Sequence, residues 1–385
     1  MKKMKRKWID IQQDTLMFLF RPLVYIWMRL DAKRKVVLGK GVSFTRKEPY
    51  IMLANHTFMF DVIHVPLRFR KVPYIVANQT LFKKKATRFL VSQVAHVISK
   101  QKGQSDAQTV RDLITAVKKG YPILIFPEGD TTFFGQTGLI EPSTMKLIKK
   151  LELDVITCNI KGGYLSKPRW ATAKRKHRMI ELHYELTFTK DDIKALTVEQ
   201  ISERIKEKLF FDAYAYQRKH MIKYEGKNLA QGFEDVVYVC PECQSIHTIT
   251  TNGNTITCTH CHTQGYMDDY GFIKGFKFDN LIEWNDYQRT FSKALREHSL
   301  STTAELFFVN EETLSMDAVG KVTLTYNQGK LILSGGYDLV IDIQDIKTPT
   351  LTMRRDLAFF YHEKNYLFKL EHYQIAFIRI LQDKY

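Results

Sequence analysis

The chain has 385 residues, 44% of them apolar and 12% aromatic, which excludes a disordered protein and leaves room for two or three domains. Its formal charge of +17 asks for an anionic partner: a nucleic acid, a membrane surface or an acidic substrate. Five cysteines in this length do not make a secreted disulfide framework, and four of them fall in two Cys-x-x-Cys pairs suited to metal, so a reducing cytosol is expected.

Residues 1–40 begin with Lys2, Lys3, Lys5, Arg6 and Lys7, run through an apolar stretch to Leu30, and return to Lys33-Arg34-Lys35. Arg21-Pro22 interrupts the apolar part, which falls short of the about 20 apolar residues of a spanning helix. A segment lying in the membrane interface is expected, held to anionic headgroups by its basic flanks. No signal-peptide core or cleavage site is present, so the expected location is the cytoplasmic side of the membrane, peripheral or monotopic.

Pro49 to Ala54 reads as a buried strand, and Asn55 breaks it into a turn. His56 and Asp61 follow. On one regular helix they would point about 140° apart, so they meet only if the turn separates strand from helix. An Asp beside a His fixes its tautomer and stabilises the imidazolium it becomes.

Arg68 to Arg88 is rich in cations with Phe69, Tyr74, Phe82 and Phe89 between them, a composition suited to phosphate, coenzyme A, headgroups or plain solvent. Asp106 to Lys119 has the period of an amphipathic helix and stops at Gly120. A second short apolar strand, Ile123 to Phe126, ends in Pro127-Glu128-Gly129, where proline blocks further pairing and glycine frees the backbone to approach a ligand. Two such strands describe an α/β sheet with its site at the strands' carboxyl ends.

Asn55-His56, four residues, Asp61, and later Phe126-Pro127-Glu128-Gly129 resemble the glycerolipid acyltransferase family, best known for 1-acyl-glycerol-3-phosphate acyltransferases, over roughly residues 10–210. The resemblance implies that His56 acts as general base on an acceptor hydroxyl and Asp61 orients it, with no covalent acyl-enzyme. It implies an acyl thioester donor, acyl-CoA or acyl-carrier protein, and a lysophospholipid acceptor, foremost 1-acyl-glycerol-3-phosphate, giving phosphatidate. Glu128, Gly129 and Asn55 would then position the acceptor. Two departures bear on that acceptor. The family's arginine after the next strand is absent, leaving Lys100 or Lys102 to hold phosphate without the arginine fork. Where Thr-Arg-Ser is usual after Glu-Gly, the chain has Asp130-Thr131-Thr132, and Arg169 becomes a candidate for the missing contact. Another lysolipid or glycerol phosphate remains an alternative acceptor.

A helix over Ser143 to Leu151, a strand over Val155 to Ile160, another over Ile180 to Phe188 and a helix over Val198 to Leu209 complete an α/β domain placed at residues 41–211. Cys158 reads as a small buried hydrophobe, and Lys174-Arg175-Lys176-His177-Arg178 as a solvated basic turn. Residues 212–236 read as a connector.

In residues 237–275, Cys240-Pro241-Glu242-Cys243 and Cys258-Thr259-His260-Cys261 flank a hairpin turning at Asn252-Gly253. This is a zinc-ribbon pattern, and Cys240, Cys243, Cys258 and Cys261 would close a tetrahedral, structural zinc site. His247, His260 and His262 are possible substitute ligands. In residues 276–385 a helix running to about Glu297 precedes six short alternating strands and a helix over Gln374 to Leu381, the pattern of a small antiparallel β domain that looks like a pleckstrin-homology barrel.

The rival reading is a basic, zinc-ribbon binding protein with a non-catalytic acyltransferase-like domain. Nucleic acid is not the expected partner, because few Lys or Arg lie between Cys240 and Cys261.

Overall fold

A computed structural model of the protein describes residues 2–78, 96–100, 107–173, 175, 179–310 and 315–383. The chain divides into two units, Met1–Ser166 with His177–His220, and Lys167–Lys176 with Met221–Tyr385.

The first unit opens with one 30-residue helix, α1 (Lys2–Asp31), that carries Pro22 inside it. No helix among the described residues is long and apolar enough to cross a membrane. The inward face of α1 is partly polar, because Asp10 and Gln13 are buried alongside Met28. Tyr74 donates to Asp10 at 2.6 Å and Lys119 pairs with the same carboxylate, while His96 Nε2 lies 2.9 Å from Asp14. Trp8, Leu19, Leu23, Ile26 and Leu30 are exposed instead. At 100° per residue these five fall within about 60° of one another, opposite the buried face, at the centre of a broader exposed apolar band of about 200° that also holds Ile9, Ile11, Phe18, Phe20 and Trp27.

The first unit's sheet contains β1 (Lys33–Leu38), β2 (Ile51–Ala54), β3 (Tyr74–Asn78), β4 (Val97–Lys100), β5 (Ile123–Ile125), β6 (Val155–Lys161) and β7 (Met179–Phe188). Their order is β1-β7-β6-β2-β5-β3-β4, parallel throughout except for β6 against β7. Between β2 and β3 lies the single turn of helix α2 (Asp61–His64). Helices α3 (Ala107–Lys118) and α4 (Pro142–Leu151) flank β5 in sequence, and α5 (Gly163–Ser166) follows β6. After β7 come α6 (Lys190–Ala195), α7 (Val198–Leu209) and α8 (Ala213–His220).

Residues of β2 alternate between two cores, which is why the strand carries no polar side chain. Ile51 and Leu53 pack with Leu113 of α3, Ile148 of α4 and Ile201 of α7, whereas Met52 and Ala54 pack with Phe58, Phe126, Cys158 and Tyr184. The parallel pairing Ile51↔Ile123 and Leu53↔Ile125 sets the ends of β2 and β5 side by side. That pairing creates the site.

Three expectations change here. Lys33-Arg34-Lys35 is the start of an edge strand rather than only a basic flank; charge on an edge suits a strand that pairs on one side. The supposed connector begins with α8, which belongs to the first unit. Arg175 is buried, not solvated, with its guanidinium 3.3 Å from the Leu229 carbonyl and stacked 5.7 Å from the Trp170 ring; Lys174 and Lys176 to Arg178 lie outside the described residues.

The second unit holds a four-stranded antiparallel sheet of β8 (Ile249–Asn252), β9 (Thr255–Cys258), β10 (Gln264–Met267) and β11 (Ile273–Lys274). Because Asn252 pairs with Thr255, the hairpin turns at Gly253-Asn254, one residue later than expected. Helices α9 (Leu281–Arg289) and α10 (Ser292–Glu297) lead to a seven-stranded antiparallel sheet. Its strands are β12 (Leu300–Val309), β13 (Met316–Asn327), β14 (Lys330–Ser334), β15 (Leu339–Asp342), β16 (Lys347–Thr352), β17 (Asp356–Tyr361) and β18 (Lys364–Leu370), in the order β15-β14-β13-β12-β18-β17-β16. The strand β16, whose first two residues Lys347 and Thr348 are both exposed and which carries no in/out alternation, had no sequence signal strong enough to separate it from a loop. Helix α11 (Gln374–Gln382) ends the chain's described part with Phe377 and Leu381 fully buried.

Candidate active site and a four-cysteine cluster

Asn55 ends β2 by a different route from a local turn. Its side chain donates to the Ile160 carbonyl at 3.0 Å and accepts the Ile160 N–H at 2.6 Å, so it acts as an extra rung between β2 and β6. Its carbonyl and one amide N–H are engaged by backbone, which makes Asn55 a brace for the turn.

The turn wraps around Asp61, whose side chain is fully buried at the start of α2. Its Oδ2 accepts the Thr57 N–H at 2.6 Å, the Phe58 N–H at 2.9 Å and the Thr57 hydroxyl at 3.2 Å. His56 Nδ1 lies 3.1 Å from the same oxygen. These bonds select an aspartate at this position: a neutral amide would face three donors with one carbonyl oxygen. With Nδ1 turned to Asp61, the other ring nitrogen, Nε2, keeps its lone pair for a substrate. The imidazole also lies over Phe126, ring centres 4.4 Å apart.

The loop after β5 holds the loop after β2 by its backbone. Glu128 Oε1 accepts the His56 N–H at 2.7 Å, and the Thr132 N–H donates to the His56 carbonyl at 3.0 Å. The other Glu128 oxygen accepts the Gly138 N–H at 2.6 Å. Burial is the largest influence on Glu128 and pushes its carboxyl up to about 7, against the pull of the Gly138 and His56 N–H groups. Gly129 sits at φ +72°, and a side chain there would meet nothing within 4 Å. Its N–H already donates to Phe126, so it offers a ligand space rather than a donor.

The sequence profile of the Acyltransferase family matches residues 36–161. The chain carries an acyltransferase domain. The matched span runs from β1 to the end of β6 and contains His56, Asp61, Glu128 and Gly129. Among solved structures, the 1-acyl-sn-glycerophosphate acyltransferase PlsC from Thermotoga maritima aligns with 58% of this chain and 85% of its own, at 15% identity and a TM-score of 0.39. No curated protein matches the chain.

Within the acyltransferase domain, His56, Asp61, Glu128, Gly129 and Asn55 come together. Lys100 closes β4, paired with Asn78, and Lys102 lies outside the described residues, as do Lys83, Lys84, Lys85 and Arg88. Arg169 belongs to the second unit, where its guanidinium donates to the carbonyls of Met353 and, at 3.0 Å, Leu351. Thr57 and Gly138 were missed by sequence reasoning. Thr57 was legible, since a hydroxyl between His56 and Asp61 is placed to bond the carboxylate; Gly138 acts through its backbone and leaves no signal. Cys158 offers no nucleophile: it is fully buried, and burial holds its thiol well above the ordinary value.

In the second unit, the sulfurs of Cys240, Cys243, Cys258 and Cys261 all lie within 4.8 Å of one another. Two equivalent knuckles bring them there. Gln244 N–H donates to Cys240 O and His262 N–H to Cys258 O, and both Gln244 and His262 take positive φ, 65° and 61°. His260 and His262 are exposed, and His247 packs on Tyr373, so the cluster is cysteine alone among the described residues.

Proposed function

We propose that the acyltransferase domain moves a fatty acyl group from an acyl thioester, acyl-CoA or acyl-carrier protein, to the hydroxyl of a lysophospholipid, foremost 1-acyl-glycerol-3-phosphate. The observation that carries this reading is His56 held at 3.1 Å from a buried Asp61 at the end of β2. His56 Nε2 takes the acceptor's hydroxyl proton as its oxygen attacks the thioester carbonyl. When the tetrahedral intermediate collapses, the carbon–sulfur bond breaks and the imidazolium returns the proton to the departing thiolate. General base catalysis of this kind contributes about 10²–10⁴-fold. Gly129 leaves space for the acceptor at the mouth of the turn.

The exposed apolar row of α1, flanked by Lys33 and Arg34, supports a peripheral seat on an anionic membrane surface at its cytoplasmic side. The metal assigned to the four cysteines is zinc. A tetrahedron of sulfurs about 2.3 Å from zinc has edges of about 3.8 Å. Cys240 and Cys261 sulfurs are 3.9 Å apart, and those of Cys243 and Cys258 3.7 Å. Four protein ligands leave no open position, so the role is structural. The strand order of the seven-stranded sheet and its C-terminal helix support a pleckstrin-homology-type domain.

The test is transfer from a labelled acyl thioester to lysophosphatidate in detergent, native protein against His56→Ala. Loss of transfer in a folded variant with unchanged metal content bears the reading out. No transfer by the native protein from either donor type to a panel of lysolipids and glycerol phosphate overturns it.

A further inference from the structure

Helix α1 sets Arg21, Tyr25 and Arg29 four residues apart and therefore on one side. Strand β1 brings Arg34 beside them, its guanidinium 4.7 Å from the centre of the Tyr25 ring. Arg68, which follows α2, lies 6.0 Å from the Phe44 ring and, like Arg29, acts on the Tyr25 hydroxyl through its charge. Three guanidinium groups thus converge on one phenol.

The groups that act on Tyr25 are Arg68, Arg34 and Arg29, and together they draw its hydroxyl below the usual tyrosine range, Arg68 most strongly. Arg34 is half-buried, and besides burial it feels the phenols of Tyr25 and Tyr184 and, as like charges, Arg68 and Arg29. Among the described residues, no ion pair joins Arg29, Arg34 or Arg68 to an Asp or Glu. Like charges gathered this closely repel one another unless an anion sits between them. Guanidinium forks suit phosphate oxygens in pairs, and a phenol adds one more donor.

The position narrows the anion. Leu23, Ile26 and Leu30, next in sequence to this side of the helix, belong to the exposed apolar row. A lipid supplies a phosphate for the arginines and chains for the row, whereas a free phosphate supplies only the first. We propose that Arg29, Arg34 and Arg68, with the Tyr25 hydroxyl, bind the headgroup phosphate of an anionic membrane lipid at the rim of the apolar face of α1. The proposal rests on the reading that α1 meets a bilayer, and it adds a discrete headgroup site to diffuse attraction.

Full-length protein is sedimented with phosphatidylcholine vesicles, with and without phosphatidylglycerol, and compared with a variant carrying Arg29→Lys, Arg34→Lys and Arg68→Lys. Lysine keeps every charge and removes every fork. The expected result is at least about tenfold tighter binding of the native protein to vesicles containing phosphatidylglycerol, most of it lost in the variant, with binding to neutral vesicles unchanged. If the triple variant does not fold, the exposed Arg68→Lys alone is compared, with a loss of about threefold expected. A lysine variant that keeps the whole preference overturns the proposal, because diffuse charge would then suffice. Equal native binding to both vesicle types removes this proposal alone, and native binding to neither removes the bilayer reading with it. Inorganic phosphate is titrated in parallel; if it binds as tightly as the vesicles, the lipid assignment is overturned.

Discussion

Glu128 Oε1 lies 2.7 Å from the backbone nitrogen of His56, so the end of β5 fixes His56 at the end of β2 through main chain rather than through the imidazole. Its carboxyl is raised to about 7 by burial, while an unfolded Glu titrates near 4.5. Between those values the folded protein keeps a proton that the unfolded chain releases. Stability from this group is therefore fully present below about pH 4.5 and is lost as pH rises through 7, by roughly 3 kcal/mol. Urea denaturation of the first unit at about pH 5 and about pH 8 reads this difference, and Glu128→Gln should flatten it. The same variant turns an amide toward the Gly138 N–H or the His56 N–H, so transfer should fall about tenfold. An unflattened profile would separate Glu128 from the pH dependence.

Asp61→Asn separates charge from geometry. A carbonyl oxygen in the place of Oδ2 still accepts from the Thr57 and Phe58 N–H groups and from His56 Nδ1, so the turn should largely persist, but the amide lacks the negative charge that stabilises the imidazolium. Transfer should drop by about 10²–10⁴ with little change in acceptor KM and a modest fall in melting temperature, because a neutral oxygen holds these donors less strongly than a carboxylate. A comparable drop in KM-limited binding alone would point to a substrate contact instead.

Asn55→Ala should show itself in stability. The Ile160 N–H and carbonyl are both left without their partner in a buried place, at a cost of about 3 kcal/mol. Thermal denaturation measures it. A variant that melts normally but binds acceptor poorly would return Asn55 to the substrate.

That contrast shows what the sequence could carry. The strand–turn–helix at residues 51–64 was legible because an apolar run, an asparagine and a His/Asp pair each constrain the same few residues. That β2 and β5 share an α/β sheet with the candidate site at their carboxyl ends was legible from two strands that both end in polar turns, whereas their direct pairing was not. The use of Asn55 was not legible, since its partner Ile160 is distant in sequence and acts through backbone. Arg169 misled for a related reason: an arginine after an α/β strand suits a phosphate, yet residues 167–176 are folded into the second unit and its carbonyls take the guanidinium. A cation announces its charge, not its address. Strand β1 was hidden by Lys33, Arg34 and Lys35, because edge strands tolerate the charges that a hydrophobic pattern counts against them.

His247 gives the second unit a pH dependence of the opposite sign. Burial, then the charge of His298, brings its imidazole down to about 4, and neither ring nitrogen has a hydrogen-bond partner. The unfolded chain takes up a proton near 6.5 and the folded unit only near 4, so stability is lost as pH falls through that window, by roughly 2–3 kcal/mol, and no further below it. His247→Phe keeps a ring against Tyr373, 4.7 Å away, and should remove the slope between about pH 6.5 and about pH 4. A slope that survives would assign it to other groups.

Metal removal should act on the ribbon first. Burial opposes charge on Cys258, yet the Cys261 N–H, the Thr248 hydroxyl and the His260 N–H draw its thiol down to about 6, while burial pushes Cys240 up. A cation draws all four to the thiolate form, and thiolates gathered this closely repel one another once it is removed unless they take up protons. The strands β8 to β11 are two to four residues long, too short to supply a core of their own. A strong chelator should release one zinc per chain and expose the ribbon to proteolysis between Cys240 and Lys274, and Cys243→Ser should do the same without chelator. Hydrogen exchange locates the opening; amides of β8 to β11 that stay protected in metal-free protein would show that the ribbon folds without its metal. In the metal-free protein, β2 and β5 should keep their protection, since their cores draw on the first unit alone.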